Sequence, residues 1–155
     1  MQQNQKLTEL LNDLIRINND RIAGYQKAAE DAHEVDMDLL AIFHRMSDES
    51  REYATQLKAE VVKLGGDPAT GTTASGKIYR AWMNVKVSFT GKDRHSLLES
   101  CEYGEDAAQK AYQDALTTDG FLPTEIRQII ANQKASLKTS HDLIKKYRDM
   151  HEAVK

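Results

Sequence analysis

The sequence predicts an all-α protein, an antiparallel four-helix bundle with one long crossover between its second and third helices. Four long segments repeat apolar residues at spacings of three and four, the mark of one buried helical face. Only two prolines and eight glycines occur in 155 residues, so little of the chain can be irregular. The one segment with strand character, around Val85, Val87 and Phe89, would have no pairing partner elsewhere.

The first helix is expected from about Asn4 to Glu34, with Leu7, Leu10, Leu11, Leu14, Ile17, Ile22, Tyr25, Ala28, Ala29 and Ala32 on its inner face. The second starts near Asp36, whose carboxylate suits an N-cap, and stops at Gly65-Gly66. It carries Leu39, Ile42, Phe43, Met46, Tyr53, Leu57, Val61 and Leu64. So short a turn between the two makes them antiparallel neighbours. Gly65 to Gly76 is small, polar and glycine-rich, hence a loop. Tyr79, Trp82, Met83 and Lys86 then follow helical spacing, which predicts a short helix lying across the bundle. The third long helix is expected from Asp93 to about Thr118, where Asp119-Gly120 breaks it. The fourth follows Pro123, with Thr124 as N-cap and Ile126, Ile129, Ile130, Leu137, Ile144, Tyr147 and Met150 inward. Two hairpins joined by one long connection make helices two and three parallel.

At 155 residues the chain fits one domain, 1–155. A formal net charge of −3, with both signs interspersed, argues against a nucleic-acid surface. No apolar run approaches the roughly 18 residues that span a bilayer, and the N-terminus lacks the apolar centre of a secretion signal. The single cysteine, Cys101, excludes an intrachain disulfide and fits a reducing compartment. These features make a cytoplasmic protein the default.

The informative feature is where the stripes are interrupted. Glu49 falls where the second helix expects a hydrophobe; Glu102 and Glu105 interrupt the third; Gln133 and His141 fall inward on the fourth; Asn18 and Arg21 on the first. All lie near their helix midpoints, and antiparallel packing brings midpoints to one level. An unpaired carboxylate in such a core costs on the order of several kcal/mol, so the layer must be neutralised by metal, cations, protons or water. A dinuclear carboxylate site is one solution, in which two helices each give a Glu and two each give a Glu-x-x-His pair. The other is a salt-bridged layer in which Arg21 and Lys138 balance the carboxylates.

Several stretches carry a resemblance. Asn18 to Tyr25, Glu49-Ser50-Arg51-Glu52-Tyr53, Cys101-Glu102-Tyr103-Gly104-Glu105 and Lys138-Thr139-Ser140-His141 lie where the ferritin-like superfamily has its ligand motifs. The chain resembles small bacterial bundle proteins of unknown function distantly similar to rubrerythrin. The resemblance implies Glu49, Glu52, Glu102, Glu105 and His141 as a degenerate metal set for iron or manganese, and a homo-oligomer. It also shows what is missing: Asn18 stands for the first-helix Glu, Glu52 for the second-helix His and Lys138 for the fourth-helix Glu.

Two functions follow. One is a non-enzymatic structural or stress-linked oligomer with an intact fold and a damaged ligand set. The other is a metal-binding protein or oxidase that activates dioxygen or peroxide, with His141 as a terminal ligand. Among the remaining candidates, His33 and His44 are expected at the surface, His95 and His151 lie near helix ends with nothing to place them beside other ligands, Cys101 is expected in the core, and Tyr25, Tyr53 and Tyr112 face inward, where their hydroxyls can reach the polar layer.

Overall fold

The four amphipathic segments fold as helices α1 (Gln2–Ala32), α2 (Met37–Lys63), α3 (Arg94–Thr117) and α4 (Thr124–Val154). The computed structural model describes residues 2–32, 37–73, 78–80, 82–83, 94–117 and 122–154. Asp36, Asp93, Asp119-Gly120, Val85, Val87, Phe89 and the side chains of His33, His95 and His151 fall outside the described residues. None of the described residues lies in a strand, and no helix among them is long and apolar enough to cross a membrane.

Side-chain pairs give the directions of the helices. Arg21 meets Met46 while Asn18 meets Ser50, so α1 and α2 run antiparallel. Leu116 meets Arg127 while Gln109 meets Lys134, so α3 and α4 do too. Between the hairpins, Arg21 pairs with Glu105 and Asn18 with Tyr112, and Glu49 pairs with Ser140 and Gln56 with Gln133. These pairs set α1 antiparallel to α3 and α2 antiparallel to α4. Helices α2 and α3 therefore run parallel, as the long crossover requires.

Helix α2 ends as its glycine pair predicts. Gly65 takes φ 81°, a left-handed conformation that costs little without a Cβ. Gly66 N–H then bonds to Val61 C=O at 3.0 Å and Gly65 N–H to Val62 C=O at 3.0 Å, closing the last carbonyls. The following loop is sewn to α1. Asn12 accepts from Ala69 N–H and donates to Asp67 C=O, and Asn19 donates to Gly71 C=O. Asp20 accepts from both the backbone N–H and the hydroxyl of Thr73.

Residues 78–80 and 82–83 are helical, and through them the crossover enters the bundle. Trp82 is fully buried, edge-on to Tyr25 at 5.2 Å between ring centroids. Its indole lies against Gly24 of α1 and Gly104 of α3. A Cβ built on either glycine would stand 2.5 Å and 2.7 Å from indole carbons.

The core divides into two apolar clusters. Leu7, Leu11, Leu57, Val61, Ile126 and Ile130 belong to one; Ala28, Leu39, Phe43, Trp82, Leu98 and Ile144 belong to the other. Between them in sequence stand Asn18, Arg21, Ser47, Ser50 and Glu105, and Gln133 joins them from within the first cluster's stretch of α4; none is more than 2% exposed. Some stripe assignments change, and Ala54 joins the inner face of α2. Ile15 is fully buried although the spacing leaves it off the inner face, and Met150, expected inward, is half exposed.

Candidate functional site

The layer is built around Arg21. Helical spacing puts Asn18, Arg21 and Tyr25 on one face of α1, and the bundle closes over that face until the guanidinium has no contact with solvent. Glu105 grips it with both carboxylate oxygens, Nε to Oε2 at 2.8 Å and Nη2 to Oε1 at 2.8 Å. Nη1 donates to the Ser50 hydroxyl at 2.9 Å and to Met46 C=O at 3.1 Å. Nη2 also reaches Met46 Sδ at 3.3 Å and Glu49 Oε1 at 3.4 Å. The guanidinium carbon sits 5.3 Å from the centre of the Tyr25 ring. Burial alone would make Arg21 less basic, but the pairing with Glu105 outweighs it and its pKa is raised. A fork of donors facing a fork of acceptors is the arrangement in which a buried ion pair recovers most of its desolvation cost.

Polar links continue from there into all four helices. Ser50 donates to Asn18 Oδ1 at 2.9 Å, Asn18 donates to the Tyr112 hydroxyl at 2.8 Å, and that hydroxyl donates to Gln133 Oε1 at 2.6 Å. Gln133 donates to the side chain of Gln56, which is exposed, so the line of bonds ends at solvent. On the α2–α4 side, Glu49 accepts from the Ser140 hydroxyl at 2.7 Å, and the Tyr53 hydroxyl bonds to Ser136.

Among the described residues, the buried hydroxyls of Tyr25 and Ser47 and the indole N–H of Trp82 close no hydrogen bond. Burial, then the neighbouring Glu105 carboxylate, pushes the pKa of both Tyr25 and Cys101 upward. Burial does the same to Tyr112, against the bond from Asn18 that favours its ionised form. Each of Tyr25, Cys101 and Tyr112 therefore favours its protonated form in the folded chain.

Of the five residues expected as metal ligands, Glu49 and Glu105 come together and the other three do not. Glu49 and Glu105 share Arg21. Glu52 is exposed. Glu102, with its side chain largely covered, pairs with Arg148 of α4. His141 pairs with Asp106 and Asp142, both well exposed, and is not in the layer. That hydrogen bond, then one from Lys138, lowers the pKa of Asp142. Lys138 lies at the surface beside Asp142, so it does not balance the buried carboxylates; Arg21 alone does that work among the two cations. Among the described residues no group of three or more His, Cys, Asp or Glu is arranged to hold a metal ion. The donor set also fails on its chemistry. The two carboxylates that do converge enclose a fixed cation, and a second positive ion there would be repelled.

Spacing alone does not single out Met46 and Ser140 as partners in the layer, nor the packing of Trp82 on Gly24 and Gly104. A glycine inside an otherwise regular helical stripe is the available signal for the latter.

With the geometry established, comparison places the chain among known folds. The structure matches that of a bacterioferritin from Desulfovibrio desulfuricans, a protein with a diiron site, with a TM-score of 0.84. Sequence identity is 16%, and the match covers 98% of this chain and 83% of that one. At that identity the likeness establishes the ferritin-like fold alone. No curated protein sequence matches the chain. Residues 6–118, which span most of α1 and all of α2 and α3, match a family described as a domain of unknown function, DUF2383. The chain therefore belongs to the DUF2383 family and has the ferritin-like four-helix fold.

Proposed function

We propose that this chain, taken as one domain over residues 1–155, is a non-enzymatic ferritin-like bundle that works as a structural, cytoplasmic homo-oligomer. The carrying observation is the bidentate Arg21–Glu105 pair at the centre of the core, with both partners at most 1% exposed. A buried guanidinium supplies the positive charge for which the carboxylates would otherwise need a metal. With the tyrosines and Cys101 held protonated, the layer joins four helices and leaves no reactive group free. Such a layer favours one helix register, because any slip strands a buried charge. Stress linkage is the setting in which the resemblance would place such a bundle. For self-association, the described surface offers Met37, Val62, Tyr103 and Met150 as exposed apolar side chains.

The competing function is iron or manganese binding by Glu49, Glu102, Glu105 and His141, with Glu52 as a further ligand. Its support is the fold shared with a diiron bacterioferritin. It requires Arg21 to leave Glu105 and His141 to turn inward.

Elemental analysis of purified protein, with Fe2+ and Mn2+ titrations followed by melting temperature, separates the two. The proposal expects substoichiometric metal and no thermal shift. One or two ions per chain, lost on Glu105→Gln, would overturn it. Light scattering reads the oligomeric part of the proposal, and a monomer at working concentration would remove that part alone.

A further inference from the structure

We infer that the mid-bundle layer is a guanidinium receptor, shaped for a planar cation and occupied by the chain's own Arg21, and that it is not a vacated divalent-metal site. The inference rests on the reading that Arg21 is the layer's cation, and deepens it by naming the ligand class that the surrounding groups select.

The acceptors make the case. A guanidinium presents five N–H donors in one plane, and the site meets that plane along its edges. Glu105 offers two oxygens side by side to Nε and Nη2, each at 2.8 Å. The Ser50 hydroxyl and Met46 C=O take Nη1, and Met46 Sδ with Glu49 Oε1 lies at the outer side of Nη2. Tyr25 contributes its ring at 5.3 Å, and aromatic rings attract such cations. Iron or manganese asks for something else: several hard oxygens or imidazoles converging on one point at about 2.0–2.2 Å. Here the converging atoms are one bidentate carboxylate, a hydroxyl, a carbonyl and a thioether. Among the described residues only Glu49, partly exposed and also bonded to Ser140, reaches the cation as a second carboxylate.

The receptor becomes visible once its built-in occupant is removed. Arg21→Ala in the full chain leaves Glu105 buried and unpaired beside a void of the right shape. Methylguanidinium, added at millimolar concentrations far below those that denature, should raise the melting temperature of this variant saturably. At ten times its dissociation constant the expected rise is about 3–6 °C. The same addition should leave wild type unmoved. It should also leave Arg21→Ala/Glu105→Gln unmoved, because the paired carboxylate is gone. Urea, planar but uncharged, should give no saturable rise, and Mn2+ should give none.

Where Arg21→Ala alone is unfolded, methylguanidinium should restore its helicity. Arg21→Met/Glu105→Met, which removes both charges, should fold without any cation. No saturable response to methylguanidinium overturns the inference, and so does a response to Mn2+ in its place. Either result leaves the wild-type metal titration to decide the non-enzymatic reading separately.

Discussion

At the residue scale the central fact is how unequally the two carboxylates on Arg21 share it. Glu105 makes two short bonds from full burial, whereas Glu49 reaches the cation at 3.4 Å with part of its side chain in water. Replacing Glu105 by Gln leaves a buried cation without its counter-charge and should cost about 3–5 kcal/mol in urea unfolding. Glu49→Gln should cost under about 1 kcal/mol, since solvent screens that pair. Equal losses would mean that the layer is not centred on Glu105. The pH dependence follows from the raised pKa values of Tyr25, Tyr112 and Cys101. Each favours its protonated form in the folded chain. Their contribution is full below the unfolded values, about 9 for the thiol and 10 for the phenols, and is lost as pH rises towards the folded ones. Melting temperature should therefore be insensitive to these groups from about pH 7 to 8.5 and fall above about pH 9.5. A plateau reaching pH 11 would contradict their burial. The layer is legible in part, because a polar group in an apolar stripe announces itself: Asn18, Arg21, Glu49, Glu105 and Gln133 stand in it, whereas Glu102 and His141, expected beside them, pair with Arg148 and Asp106 instead. The partners are not legible. Whether His141 turns to Glu105 or to Asp106 depends on small helix rotations, which a spacing of three or four residues does not fix.

At the element scale the crossover decides how α1 and α3 meet. Alanine normally stabilises a helix interior over glycine by about 1 kcal/mol. At Gly104 the new Cβ would stand 2.7 Å from the Trp82 ring, whose burial leaves it little room to retreat. Gly104→Ala should thus destabilise by about 1–3 kcal/mol, and Trp82→Leu should recover part of that loss in the double variant. Additive effects in thermal melts would show that Trp82 does not pack there. The sequence states the helices, the glycine stop at Gly65-Gly66 and the short apolar helix near Trp82, because these rest on local spacing and backbone preference. It conceals the docking of that helix between Gly24 and Gly104, a contact across 58 and 22 residues of chain that no local rule reaches. The sewing of Asn12, Asn19 and Asp20 to the loop is hidden for the same reason.

At the scale of the whole molecule, two apolar clusters and one polar layer describe the bundle. The clusters make burial favourable, and the layer restricts which helix faces can meet. Antiparallel hairpins with a parallel α2 and α3 follow from loop lengths alone, so the topology was readable from the chain. What the layer holds was not, because spacing gives the level of Glu49, Glu105 and Arg21 without saying which groups touch. The most direct test is a crystal structure of wild-type protein grown with excess Mn2+, with anomalous scattering measured to locate the ion. No anomalous peak is expected in the layer, and Arg21 should stand forked onto Glu105 with Ser50 and Met46 on its other edge. A peak about 2.2 Å from Glu49 and Glu105, with Arg21 swung out of the core, would contradict that arrangement.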